Sequence, residues 1–102
     1  MPTVTYRLRG KVWLYEGPVA WHFFTLPKKQ AREIRLMLGS GVTGRGWGSI
    51  KVEATVGKTT WKTSIFPDKR QGSYLLPVKA EVRAAEGIEV GDTVDVVLQV
   101  EA

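Results

Sequence analysis

The sequence predicts a mainly β fold, a small closed barrel built from two similar halves with one or two short helices, and three observations carry that expectation. Apolar and polar residues alternate over residues 3–14, 50–56 and 94–100, the period of half-buried strands. A Leu-Pro step followed by a short helical pattern occurs twice, at Leu26-Pro27 and at Leu76-Pro77. The strands that come after those helices align with each other without a gap.

In order along the chain, Val4, Tyr6, Leu8, Val12 and Leu14 take one side of the first strand, and Thr5, Arg7, Arg9 and Lys11 the other. Glu16-Gly17-Pro18 breaks it, and the aromatic run Trp21 to Phe24 resumes an extended chain whose rings need burial. Pro27 suits the first turn of a helix, with Thr25 or Leu26 near its cap. From Lys28 to Leu38 the period changes: Ala31, Ile34 and Leu38 share one helical face, while Lys28, Arg32 and Arg35 share another, and Gly39 ends the helix. The segment GSGVTGRGWG, residues 39–48, reads as a loop.

Ile50, Val52, Ala54 and Val56 mark the inner side of the next strand, and Gly57-Lys58 a tight hairpin turn into residues 59–66. PDKRQG, residues 67–72, is a polar turn. Tyr74, Leu75 and Leu76 form a short extended piece ending at Pro77, and a helical turn over Lys79 to Glu86 stops at Gly87. After the turn at Val90-Gly91-Asp92, Val94, Val96, Leu98 and Val100 complete the last strand.

The halves, about 1–56 and 57–102, match beyond their Leu-Pro steps. Arg32-Glu33-Ile34-Arg35 falls on Ala80-Glu81-Val82-Arg83 with a small gap, and Ile50, Val52, Ala54 and Val56 fall on Val94, Val96, Leu98 and Val100. Neither half is long enough to bury an apolar face alone, so residues 1–102 are expected to interlock as one domain.

The composition bounds the function. Without cysteine there is no disulfide framework and no thiolate metal site, and a single histidine with no clustered carboxylates leaves no set with ligand spacing, so no metal and no cofactor is expected. The start MPTVTYRLRG lacks a secretion pattern and no stretch approaches the roughly 20 apolar residues of a membrane span, so a soluble, cytoplasmic protein, monomeric or homodimeric, is expected. Charge is unevenly placed: residues 1–83 hold all 15 lysines and arginines and half of the 10 acids, and residues 84–102 hold the other acids and no base. Such a split suits a basic surface that meets phosphates or an acidic partner, or an acidic final strand that neutralises basic neighbours.

The segment LLPVKAEVRAAEGIEVGDTVDVVL resembles the AbrB-type swapped-hairpin element: an extended Leu-Pro step, a short helix ending in Arg, Gly-Ile, a Gly-Asp turn and a strand. Taken nearly whole, the chain resembles the bacterial and archaeal family known as domain of unknown function 1905. The matching marks are Trp21 through Leu26-Pro27, Gly46-Trp47-Gly48, Thr63-Ser64-Ile65-Phe66-Pro67, and Tyr74-Leu75-Leu76-Pro77-Val78-Lys79-Ala80 with Arg83. The resemblance implies a small double-split β-barrel and brings no activity with it. AbrB-type proteins are mostly dimeric DNA binders, which two fused halves would imitate within one chain; the glycine-rich loop of the first half departs from that pattern.

Candidate sites follow. Gly39 to Gly44 formally satisfies a dinucleotide-binding pattern, yet it follows a helix and opens a strand, so a pyrophosphate would meet no helix N-terminus and the motif is rejected. His22 could act as a base toward Thr63 or Ser64, but it sits among Trp21, Phe23 and Phe24, where packing explains it better. The first functional expectation is a non-enzymatic binding module for nucleic acid, held by Lys28, Arg32, Arg35 and Arg45 and stacked on Trp47 or Trp61, against the plainer reading of a solvated helix face and core tryptophans. The alternatives are a small-molecule or enzymatic barrel mouth lined by Trp61, Thr63, Ser64, Tyr74, Lys79 and Arg83, and a domain that docks protein through its acidic stretch Glu86 to Asp95.

Overall fold

A computed structural model describes residues 3–39 and 48–101. Six antiparallel strands, β1 (Thr3–Tyr15), β2 (Trp21–Thr25), β3 (Ile50–Val56), β4 (Thr59–Asp68), β5 (Ser73–Pro77) and β6 (Thr93–Glu101), close a barrel in the order β1-β2-β5-β4-β3-β6. Two short helices accompany them, α1 (Lys28–Ile34) and α2 (Ala80–Glu86). The chain is therefore mainly β, as its alternation predicts, and the barrel is closed.

Two strands do double duty. Thr3 to Lys11 of β1 pair with β6, and Val12 to Tyr15 pair with β2. Likewise Thr59 to Ile65 of β4 pair with β3, and Phe66 to Asp68 with β5. Strand β6 also pairs with β3, through Ala54↔Leu98, and β2 with β5, through Thr25↔Leu75, which completes the ring. Because side chains alternate across a strand, these registers turn Leu8, Val12, Phe24, Val52, Ala54, Val56, Ile65, Leu76, Val96, Leu98 and Val100 into one interior. Ala31 and Ile34 of α1 and Val82 of α2 close over that core, each 1 % exposed or less.

Two boundaries differ from the sequence reading. The helix predicted to reach Leu38 is α-helical only to Ile34, and Arg35–Gly39 form a π-helical turn. Leu36 is 68 % exposed and points away from the face that Ala31 and Ile34 bury. Strand β4 runs through Pro67 to Asp68 rather than stopping at Phe66. Its pairing to β3 ends at Ile50↔Ile65, so beyond that point alternate N–H groups of β4 face no strand among the described residues, where a proline is tolerated.

Candidate functional site

Strands β1 and β2 and the two helices position the cations, the histidine and the aromatic rings of functional interest. Pro27 has an extended backbone (φ −55°, ψ 142°) and hands Thr25 and Leu26 of β2 over to the helix, where its carbonyl accepts from the Ala31 N–H at 3.0 Å. With Ala31 and Ile34 turned to the core, Lys28, Lys29 and Arg32 are left exposed on the outer face, and Arg35 is exposed at the start of the π turn. Burial, with Arg35 opposing it, pushes the Tyr74 hydroxyl above its ordinary pKa, and burial followed by Glu33 does the same to Tyr6.

At the other helix, Arg83 of α2 donates from Nε to the Val78 carbonyl at 3.0 Å, and its Nη1 lies 3.2 Å from Nε2 of His22. Arginine is only a donor, so Nε2 accepts and the proton of a neutral imidazole sits on Nδ1, which is buried without a partner among the described residues. Burial first, then the Arg83 charge, lower the His22 pKa below its ordinary 6.5. Glu86, at the end of the same helix, accepts from the Thr59 hydroxyl at 2.5 Å and from the Lys58 N–H at 3.3 Å.

Of the expected nucleic-acid residues, Lys28, Arg32 and Arg35 come together on one surface. Arg45 and Trp47 lie outside the described residues. Trp61 is not a surface ring: it is 6 % exposed inside the barrel, opposite Ala54, because the β3–β4 register turns it inward. Its Nε1 has no hydrogen-bond partner among the described residues.

The expected barrel mouth is likewise not one place. Tyr74 is fully buried, Lys79 is exposed ahead of α2, and Arg83 is engaged by His22 and Val78. Thr63 and Ser64 instead line an open groove of about 870 Å³ with Lys51 and Lys62. His22 is held by Arg83 and not by Thr63 or Ser64.

What the sequence reading missed is an aromatic ladder on the outer face of the β1–β2 hairpin. The registers set Trp13 across from Phe23 and Tyr15 across from Trp21. Trp21 stacks on Phe23 (centroids 5.8 Å apart, planes 3° apart), and Trp13 and Tyr15 tilt against Phe23 at 5.5 and 6.4 Å. Trp13 Nε1 donates to Thr25 Oγ1 at 2.9 Å, while Tyr15 and Trp21 remain 49 % and 46 % exposed. The signal was present in the parity of residues 13, 15, 21 and 23, but the run Trp21 to Phe24 alone does not say which rings face out.

Fold and site together define a small, basic, antiparallel β-barrel domain closed over by two short helices. The family model described as Domain of unknown function (DUF1905) matches residues 9–98, and the chain belongs to that family. None of the curated proteins compared with the chain matches it. No helix among the described residues is long and apolar enough to cross a membrane.

Proposed function

We propose that this domain is a non-enzymatic binding module whose partner is nucleic acid. The observation that carries the reading is the exposed cation row of α1: Lys28, Lys29 and Arg32, with Arg35 beyond them, all on the side away from the core. Cations in such a row follow a phosphate backbone, and their binding rests on counterion release. Fluorescence anisotropy of labelled DNA and RNA against the protein at low salt tests it. Binding should weaken steeply as salt rises, with a log–log slope of about −2 to −3 for three phosphate contacts. No binding at high micromolar protein in low salt overturns the reading.

The architecture we infer behind it is an internal duplication, a double-split barrel of AbrB-related type in which one chain imitates a dimer. The pairing registers support it. Exchanging β1 with β4, β2 with β5 and β3 with β6 leaves the ring order unchanged. The same exchange carries Tyr6↔Leu98 onto Trp61↔Ala54, Arg9↔Asp95 onto Ser64↔Lys51, and Val12↔Phe24 onto Pro67↔Tyr74, each an observed pair. Thr25↔Leu75 and Ala54↔Leu98 each map onto themselves, so a twofold axis would pass through both.

A second reading is a small-molecule site in the open groove, where Thr63 and Ser64 gather hydroxyls among two cations, Lys51 and Lys62, and two carboxylates, Glu53 and Glu101, a lining suited to a small zwitterionic ligand. A thermal-shift panel of small polar and zwitterionic metabolites tests it, and a flat response across the panel removes it.

A further inference from the structure

We propose that the outer aromatic ladder of β1 and β2, Trp13, Tyr15, Trp21 and Phe23, is a stacking surface for the bases of single-stranded nucleic acid. This rests on the reading of the domain as a nucleic-acid binder and names the form of nucleic acid it takes.

Three observations lead there. First, barrel stability does not call for these rings. Under the exchange of halves, Trp13 and Phe23 correspond to Asp68 and the buried Ser73, the last pair of the β4–β5 ladder, and Tyr15 and Trp21 to Arg70 and Gln71 in the turn beyond it, so the other half closes its sheet without such rings. Second, the rings are ordered and partly open. Trp21 lies parallel on Phe23, Trp13 is pinned by Thr25, and roughly half of Tyr15 and Trp21 faces solvent, which leaves flat faces on which further planar rings can stack.

Third, the surroundings are cationic. Lys11, Arg9 and Arg7 continue the outward face of β1 from Trp13, all exposed, although Arg9 is partly neutralised by Asp95 at 2.8 Å. On the β2 side, Lys28 follows Thr25 by three residues, at most about 11 Å of chain. Ring faces between two groups of cations suit a ligand that alternates planar bases with phosphates. A duplex keeps its bases stacked within itself and cannot offer them, so the ladder selects single strands.

The test compares the wild-type chain with Trp21→Ala/Tyr15→Ser and with Lys28→Glu/Arg32→Glu, using labelled oligothymidine, oligouridine and a mixed-sequence duplex. All four substituted side chains are exposed and outside the core, and a thermal melt of each variant confirms folding. The expected result is that the aromatic variant loses single-strand affinity about 5- to 100-fold with its salt slope unchanged. Trp21→Phe should retain most of that affinity, and duplex binding should barely change. Aromatic-variant binding equal to wild type, with a loss only in the charge variant, overturns the ladder and leaves the binding module standing. Absence of any binding by the wild-type chain overturns both. Concentration-dependent dimerisation that Trp21→Ala abolishes also overturns the ladder, since a second copy would then be its occupant.

Discussion

His22 shows how one residue's surroundings set a measurable property. Its Nε2 accepts from Arg83, so protonation both removes that hydrogen bond and places two cations 3.2 Å apart. The folded-state pKa is lowered below the ordinary 6.5, so in the interval between the two values the unfolded chain binds more protons than the folded one. The stabilisation is therefore complete above about pH 6.5 and is lost as pH falls through the folded-state value. Thermal melts from pH 8 to pH 4.5 should show a decline below 6.5 that is reduced in His22→Gln, which keeps an acceptor but no titrating group. Parallel pH profiles for the two chains would remove His22 from this role.

Gly57 is a second residue-scale case. It has φ +59° in the β3–β4 turn, and a Cβ there would run into the Glu86 carboxylate. Gly57→Ala should destabilise by about 1–2 kcal/mol from the left-handed backbone alone, with the displacement of Glu86 in addition, as measured by urea unfolding. An unchanged midpoint would mean that the turn relaxes to another conformation. The glycine was legible in the sequence as a turn residue, but its closeness to Glu86 joins residues far apart in the chain and was not.

Among the elements, α2 depends on its anchors more than on its own length. Seven residues form no stable helix in isolation, and its buried contribution is Val82. Arg83 fixes its middle to Val78 and His22, Glu86 fixes its end to the Lys58–Thr59 turn, and Gly87 closes it with φ +64°. Glu86→Ala should cost about 1–2 kcal/mol and speed amide exchange of Lys58 and α2 together. Faster exchange at Lys58 alone would show that the helix docks without this anchor. The position of α2 was readable from its Pro77 and Gly87 boundaries, whereas the anchors are tertiary. The α1 end was misjudged because Leu38 completes a helical stripe on paper, and periodicity does not distinguish an α turn from the π turn that follows Ile34.

At the scale of the whole molecule, the paired positions Ala54 and Leu98 join the packing to the proposed duplication. They face each other across β3 and β6 with no exposed surface. Leu98→Ala should cost about 2–5 kcal/mol by leaving a cavity, and Ala54→Leu about 1–3 kcal/mol by overfilling. Under the proposed duplication the two sites are equivalent, so Ala54→Leu/Leu98→Ala should recover at least half of the summed loss in a double-mutant cycle. Additive losses would count against the equivalence. The same pairing ties residues 1–56 to residues 57–102 through four ladders, β1–β6, β2–β5, β3–β4 and β3–β6.

The sequence by itself determined the strand inventory, the mainly β class, the two Leu-Pro-to-helix steps and the cation row of α1. Each is set by local periodicity and by where proline and glycine can stand, so each can be read from near neighbours in the chain. Only the tertiary structure decided that Trp61 is core while Trp13, Tyr15, Trp21 and Phe23 form an outer ladder, and that the lone histidine belongs to Arg83. The physical reason is register. A strand's two faces are distinguished only by what its partners bury, so the role of an aromatic side chain is fixed by pairings that join residues distant in the sequence.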